Sequence, residues 1–107
     1  MRDLLLQVAD RAGQYLEALE HRPVFPDPQA VAHIDTLDQP LPDKGVSPEL
    51  VLSEIEEILS PATVACAGPR YFGFVTGGSL PSALAANWLA TAWDQNAFSR
   101  VLSLIHI

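Results

Sequence analysis

Apolar residues in the first part of the chain recur every three or four positions, which is the period of an α-helix. The stripe runs through residues 3–20 and consists of Leu5, Val8, Ala9, Ala12, Leu16 and Leu19. The spacing predicts an amphipathic helix with Asp3 near its positive end. Because a single helix cannot bury such a stripe by itself, this helix needs a partner surface.

A second helix is predicted over residues 48–59. Ser47 is a favourable N-cap residue, and Pro48 suits the first helical position because it has no N–H to leave unpaired. The apolar face consists of Leu52, Ile55 and Leu59. Ser60–Pro61 ends the helix.

The most apolar helix is predicted over residues 80–97. Its many alanines favour close helix packing, and Trp88 and Trp93 are expected to contribute large buried areas. The segment Tyr71–Val75 before it predicts a short strand or extended segment, and residues 76–79 predict a turn.

Proline interrupts regular structure between the first two helices. Six of the nine prolines fall between Pro23 and Pro48. Residues 22–28 therefore predict an extended, polyproline-like path, residues 29–34 a short helical turn, and residues 35–46 a loop. The predicted fold class is a mainly α fragment with about three helices, a long proline-rich arm and one short extended segment.

Composition narrows the range of partners and locations. The net charge is −7, and the six basic residues are scattered along the 107-residue sequence, which argues against a nucleic-acid interface. Cys66 is the single cysteine, so neither an internal disulfide nor a cysteine zinc site is expected. No run resembles a membrane span or a signal peptide, which predicts a cytoplasmic protein without membrane contact.

The last six residues, 102–107, read LSLIHI. The same six residues result when a transposon end used in sequencing libraries is translated in frame. We expect this tail to be adapter sequence and the native chain to run on past Val101. Such a segment is set aside when the fold is considered.

Two stretches resemble the group II pyridoxal-phosphate decarboxylases, which include the aromatic-amino-acid, histidine and glutamate decarboxylases. The first is Arg22–Asp27, RPVFPD, which follows the first helix. The second is Ser60–Thr63, SPAT, followed by PRYFGFVTGGSLP at residues 69–81. Residues 92–96, AWDQN, resemble the end of the following helix in a bacterial branch of the family. The resemblance covers residues 1–101.

The resemblance implies the N-terminal dimerisation arm of a fold-type I enzyme, whose intact parent has an α/β fold and forms a homodimer. Pyridoxal 5'-phosphate is the implied cofactor of the parent, and an amino acid is its implied substrate. By position, Phe74 and Thr76 match pocket residues that contact the substrate side chain. Around Val75 the chain is one residue shorter than the aromatic-substrate enzymes and lacks their FPT sequence, which weakens the match of Thr76 and of aromatic specificity.

Catalytic groups are missing from the sequence. Decarboxylation on pyridoxal phosphate needs a lysine for the Schiff base, an acid for the pyridine nitrogen and a stacked aromatic ring. Lys44 is the only lysine and lies in a polar loop. TGGS at residues 76–79 lacks the lysine of a phosphate-binding loop. We therefore predict no catalytic, cofactor-binding or metal-binding residue in this chain.

The leading hypothesis is a truncated N-terminal part of a pyridoxal-phosphate-dependent amino-acid decarboxylase, a carboxy-lyase that is inactive in this form. Two alternatives stay open. One is a small helical interaction module. The other is a fragment of a different fold-type I enzyme, such as an aminotransferase.

Overall fold

A computed structural model describes residues 1–95. The chain divides into two compact units, Met1–Gly77 and Gly78–Ile107, and the described part of the second ends at residue 95. The α-helices are α1 (Arg2–Ala18), α2 (Pro28–His33), α3 (Pro48–Leu59) and α4 (Pro81–Trp93). Two 3-10 turns, Ile34–Leu37 and Ser60–Ala62, follow α2 and α3. Residues 1–95 contain no strand, so the mainly helical prediction is confirmed.

Helix α1 packs one side of its apolar stripe towards α3. Val8 and Ala12 of the stripe are half-buried, and Leu19 just after the helix is buried. Leu4, which the predicted stripe did not include, is also half-buried. Arg11 fastens the two helices, because its guanidinium donates to the Leu52 carbonyl and to Ser53 Oγ, both at 3.1 Å.

The other side of the predicted α1 stripe has no cover. Leu5 is 53% exposed and Leu16 is 39% exposed. Periodicity places these residues on the same broad apolar arc as Val8, but it does not say how much of the arc a neighbour covers. A single packed helix covers only part of the arc.

Helix α3 begins as predicted. Ser47 is the N-cap, and its hydroxyl accepts a hydrogen bond from the Leu50 N–H at 3.2 Å. Leu52 and Leu59 are half-buried, as the pattern indicated, whereas Ile55 is 44% exposed. The prediction of one apolar face was therefore right for two of its three residues.

The proline-rich arm contains more helix than the sequence indicated. The Asp27 carboxylate caps α2 by accepting the Gln29 N–H at 2.8 Å, and Pro28 takes the first helical position. The 3-10 turn Ile34–Leu37 extends this element, so the loop begins at Asp38 rather than at residue 35.

Helix α4 is shorter and more exposed than predicted. It ends at Trp93 because Asp94 adopts the left-handed conformation, with φ 47°. Trp88 and Trp93 are 40% and 63% exposed, so the prediction that their indole rings are buried is wrong for the described residues. The described part of this unit contains no second element that packs on α4. The tail at residues 102–107 and the predicted helix end at residues 96–97 lie outside the described residues.

The prediction of an extended segment at Tyr71–Val75 is wrong. Residues 73–76 form a tight turn in which the Thr76 N–H donates to the Gly73 carbonyl at 3.1 Å. Phe74 and Val75 both have positive φ, 53° and 55°. Residues 1–95 contain no strand with which this segment could pair, and the local turn supplies a partner for the Thr76 N–H instead. The turn therefore lies three residues before the predicted one at residues 76–79.

Candidate functional site

The proline-rich arm meets the segment after α3 at Arg22, and this junction is the most highly connected polar site in the first unit. The Arg22 guanidinium donates to the Ser60 carbonyl at 2.7 Å and to Thr63 Oγ1 at 3.5 Å. Its carbon centre lies 4.3 Å from the centroid of the Tyr15 ring, a cation–π distance. The Arg22 side chain therefore connects α1, the arm and the 3-10 turn after α3.

Tyr15 and Thr63 complete this junction. Their hydroxyl oxygens are 2.9 Å apart and share a hydrogen bond. The Thr63 hydroxyl also lies 2.8 Å from the Ser60 carbonyl, to which it donates. Both side chains are half-buried, so these bonds satisfy polar groups that are partly removed from water.

Three further contacts hold the arm in place. The Ala65 N–H donates to the Val24 carbonyl at 2.9 Å, and Ala65 is only 2% exposed. Phe25 and Tyr71 pack edge to face with ring centroids 6.4 Å apart. Arg70 Nη2 donates to the carbonyl of Arg22. The arm is thus fixed through its backbone and through its aromatic ring.

A cavity of about 270 Å³ opens beside this junction, wholly within the first unit. Its apolar walls are Pro23, Phe25, Pro26, Ala30 and Pro61. Three polar residues, Arg22, Asp27 and Thr63, also line it. The cavity therefore combines a mainly apolar wall with one cationic and one anionic side chain.

The sequence-predicted substrate residues lie elsewhere. Phe74 is 94% exposed on the turn at residues 73–76, and Thr76 ends the same turn and is also exposed. Neither residue lines the cavity beside Arg22. Phe72 and Val75 are equally exposed, so the turn presents a small apolar surface.

The described residues do not fit pyridoxal phosphate. Lys44, the one lysine of the sequence, is exposed in the loop between α2 and α3 and lies outside the cavity. In residues 1–95, no group of three or more His, Cys, Asp or Glu side chains is placed to hold a metal ion. Over the same residues, no helix is long and apolar enough to cross a bilayer.

The comparisons with known proteins identify no relative. Neither protein-family models, nor curated proteins, nor solved structures match the chain. Inference about function therefore depends on the residues and their geometry.

Sequence reasoning missed the roles of Tyr15, Thr63 and Arg70. Tyr15 lies beside the apolar stripe of α1, so its position in the sequence indicates a packing residue. Helical periodicity does not reveal that its hydroxyl bonds Thr63, which is 48 residues away. The usable signal was the segment RPVFPDP at residues 22–28, because its three prolines indicate a fixed path that lies against another surface.

Proposed function

We propose that this chain is the N-terminal dimerisation arm of a pyridoxal-phosphate-dependent amino-acid decarboxylase, and that it is inactive without the rest of that enzyme. The intact parent removes the α-carboxylate of an amino acid as CO₂. Residues of the parent outside this chain would hold the cofactor, which would supply an electron sink for this chemistry. This chain contributes packing surface and a segment next to the substrate.

The observation that carries the proposal is the contact between the two stretches that resemble the family. RPVFP and the SPAT and PRYF segments are about 40 residues apart in sequence and meet at one junction. The Arg22 guanidinium donates to the Ser60 carbonyl and to the Thr63 hydroxyl, and the Phe25 ring packs on the Tyr71 ring. Both segments resemble parts of the same enzyme family, and they also pack on each other. This contact supports the view that they belong to one structural unit of that family.

Unpartnered apolar surface supports the dimerisation role. Helix α4 has polar side chains at only Ser82, Asn87 and Thr91 before its C-cap, and a helix that is apolar all round is normally buried. Leu16 of α1 and Ile55 of α3 also remain exposed. A homodimer within a larger enzyme would cover such surfaces.

The absence of catalysis in this chain is tested with the cofactor alone. The purified chain, mixed with one equivalent of pyridoxal phosphate, is expected to show no internal-aldimine absorbance and no lysine adduct after borohydride reduction. Lys44→Arg is the matched control, because it removes the one lysine and keeps the charge. Stoichiometric reduction onto Lys44 that the control abolishes would contradict the proposal.

The decarboxylase identity is tested on the source DNA and on its product. Reading past the Val101 codon is expected to reveal a frame that continues into a large α/β domain with a His-Lys cofactor motif. The protein encoded by that frame should release CO₂ from an amino acid when pyridoxal phosphate is added. Transamination without CO₂ release would instead identify another fold-type I enzyme.

A small helical interaction module is the second candidate function, and the exposed apolar faces also favour it. The two candidates differ in stability. A dimerisation arm without its enzyme is expected to self-associate or aggregate because its apolar surface is uncovered. A native stop codon after Val101, together with a cooperatively unfolding monomer in sedimentation and denaturation experiments, would favour the module.

A further inference from the structure

We propose that residues 71–75 pair with the same residues of a second copy of this chain, as two short antiparallel strands. In the single chain, residues 73–76 form a turn, so the pairing requires this turn to open. The inference concerns this segment alone and does not depend on the proposed decarboxylase function.

The backbone of the turn is poorly suited to its residues. Phe74 and Val75 both lie in the left-handed region, in which Cβ approaches the following carbonyl oxygen. Aromatic and β-branched residues are instead typical of strands. The turn is closed by the hydrogen bond from the Thr76 N–H to the Gly73 carbonyl. Opening it therefore relieves backbone strain at two residues and breaks this hydrogen bond.

The side chains of the turn are free to meet a partner. Phe72, Phe74 and Val75 are almost fully exposed, so little packing within the first unit is lost when the turn opens. Residues 1–95 contain no strand. Within the described part of the chain, the open segment therefore has no strand to pair with, and its partner strand comes from another molecule.

The order of residues in the segment makes a second copy a suitable partner. When a two-fold axis passes through Gly73 of two antiparallel strands, Phe72 of each copy lies opposite Phe74 of the other. On the other face of the pair, Tyr71 lies opposite Val75. Aromatic–aromatic and aromatic–β-branched pairs stabilise neighbouring strands. Because the arrangement is symmetric, each of these pairs is formed twice.

Charge does not oppose this register. Residues 71–79 contain no charged side chain, and Arg70 lies opposite the neutral Thr76 of the other copy. Like charges directly opposite each other destabilise a strand pair, and none occurs here. The segment can therefore pair with itself although each chain has a net charge of −7.

The test follows the ¹³Cα and ¹³Cβ chemical shifts of residues 72–75 in the full 107-residue chain as its concentration is raised. The interface is small, so association is expected between about 0.1 and 1 mM. Over this range the shifts should move from left-handed to extended values. A mixture of ¹³C-labelled and unlabelled chains should also show intermolecular nuclear Overhauser effects between the rings of Phe72 and Phe74.

One outcome separates this inference from the proposed function. Association through α4 or α1 would leave the shifts of residues 72–75 at left-handed values. Constant left-handed shifts over the whole range, even in a sample that sedimentation shows to be associated, would refute the strand pairing alone.

A pair of double variants provides the matched control. Phe74→Asn with Val75→Gly places residues in the turn that its left-handed backbone prefers, so association through the segment should weaken by about tenfold or more. Leu41→Asn with Val46→Gly makes comparable changes at exposed positions of the loop before α3 and should leave association unchanged. Undiminished association of the turn variant, or an equal loss in the loop variant, would overturn the proposal.

Discussion

Val75 has a backbone conformation that β-branched residues rarely adopt. Its φ is 55°, and Phe74 before it has φ 53°, so both central residues of the turn at 73–76 lie in the left-handed region. Such turns normally use Asn, Asp or Gly at these positions. Val75 is fully exposed, so it makes no packing contact that offsets the conformational cost.

The magnitude follows from two opposing contributions. A non-glycine residue in the left-handed region costs about 1–2 kcal/mol because Cβ approaches the following carbonyl oxygen. Glycine avoids this cost. Its unfolded chain has more conformations than that of alanine, however, and this lowers the stability of the folded state by about 0.5–1 kcal/mol. Subtracting the second contribution from the first gives about 0–1.5 kcal/mol, so Val75→Gly is expected to be more stable than Val75→Ala by about 0.7 kcal/mol.

The control is the same pair of substitutions at Leu41. This residue is 94% exposed in the loop before α3 and does not have positive φ. There Leu41→Gly should be less stable than Leu41→Ala by about 0.5–1 kcal/mol, because only the unfolded-state contribution remains.

Urea denaturation followed by far-ultraviolet circular dichroism gives the free energy of unfolding for all four variants. The reasoning predicts a glycine-minus-alanine difference of opposite sign at positions 75 and 41. The same sign and size at both positions would refute it, and would mean that the turn at 73–76 does not hold Val75 in the left-handed region.

Three other substitutions test the packing of the first unit in the same denaturation assay. Gly13→Ala should raise stability by about 0.5–1 kcal/mol, because a Cβ there meets nothing within 4 Å. Gly68→Ala should lower stability by about 1–3 kcal/mol, because its Cβ would lie 3.1 Å from the Leu19 carbonyl oxygen. If both substitutions changed the free energy of unfolding by the same amount, the close contact between Gly68 and Leu19 would be contradicted. Tyr15→Phe should cost about 0.5–1.5 kcal/mol through loss of the bond to Thr63, and an unchanged midpoint would mean that water replaces it.

The Arg22 junction fixes the path of residues 22–27, the part of the arm that precedes α2 and contains no helix. Proline removes backbone donors and fixes φ, so the path depends on contacts made elsewhere. The Val24 carbonyl and the Arg22 side chain provide these contacts on the segment after α3. A chain with a small core can thus hold a non-helical segment against the rest of the unit. Over the described residues, the buried apolar residues are Leu19 and Ala65.

Local chemistry made some features predictable. Ser47 before Pro48 marked the start of α3, because a side-chain hydroxyl and a proline at the first position satisfy a helix N-terminus without tertiary help. Helical periodicity located α1 and the apolar face of α3, and the run of apolar residues and alanines located α4. The end of α4 was not predictable from periodicity, since it depends on the left-handed conformation of Asp94.

The candidate site was predictable only in part. The sequence indicated that RPVFP must lie against another surface, but the partner residues Ser60, Thr63 and Tyr71 are about 40 residues or more away. Contacts at that separation depend on how α1 and α3 pack. The substrate role of Phe74 and Thr76 stays a prediction from resemblance, and both residues are exposed on a turn.

The sequence by itself determined that the described part of the chain is mainly helical and that α3 begins after Ser47. These properties depend on the type of each residue and on residues that are close to it in the sequence. Only the tertiary structure decided which half of the α1 stripe is covered, that Arg22 stacks on Tyr15, and that a cavity opens beside it. The physical reason is that burial and side-chain pairing depend on distant segments, whereas capping and helical period act within one or two turns.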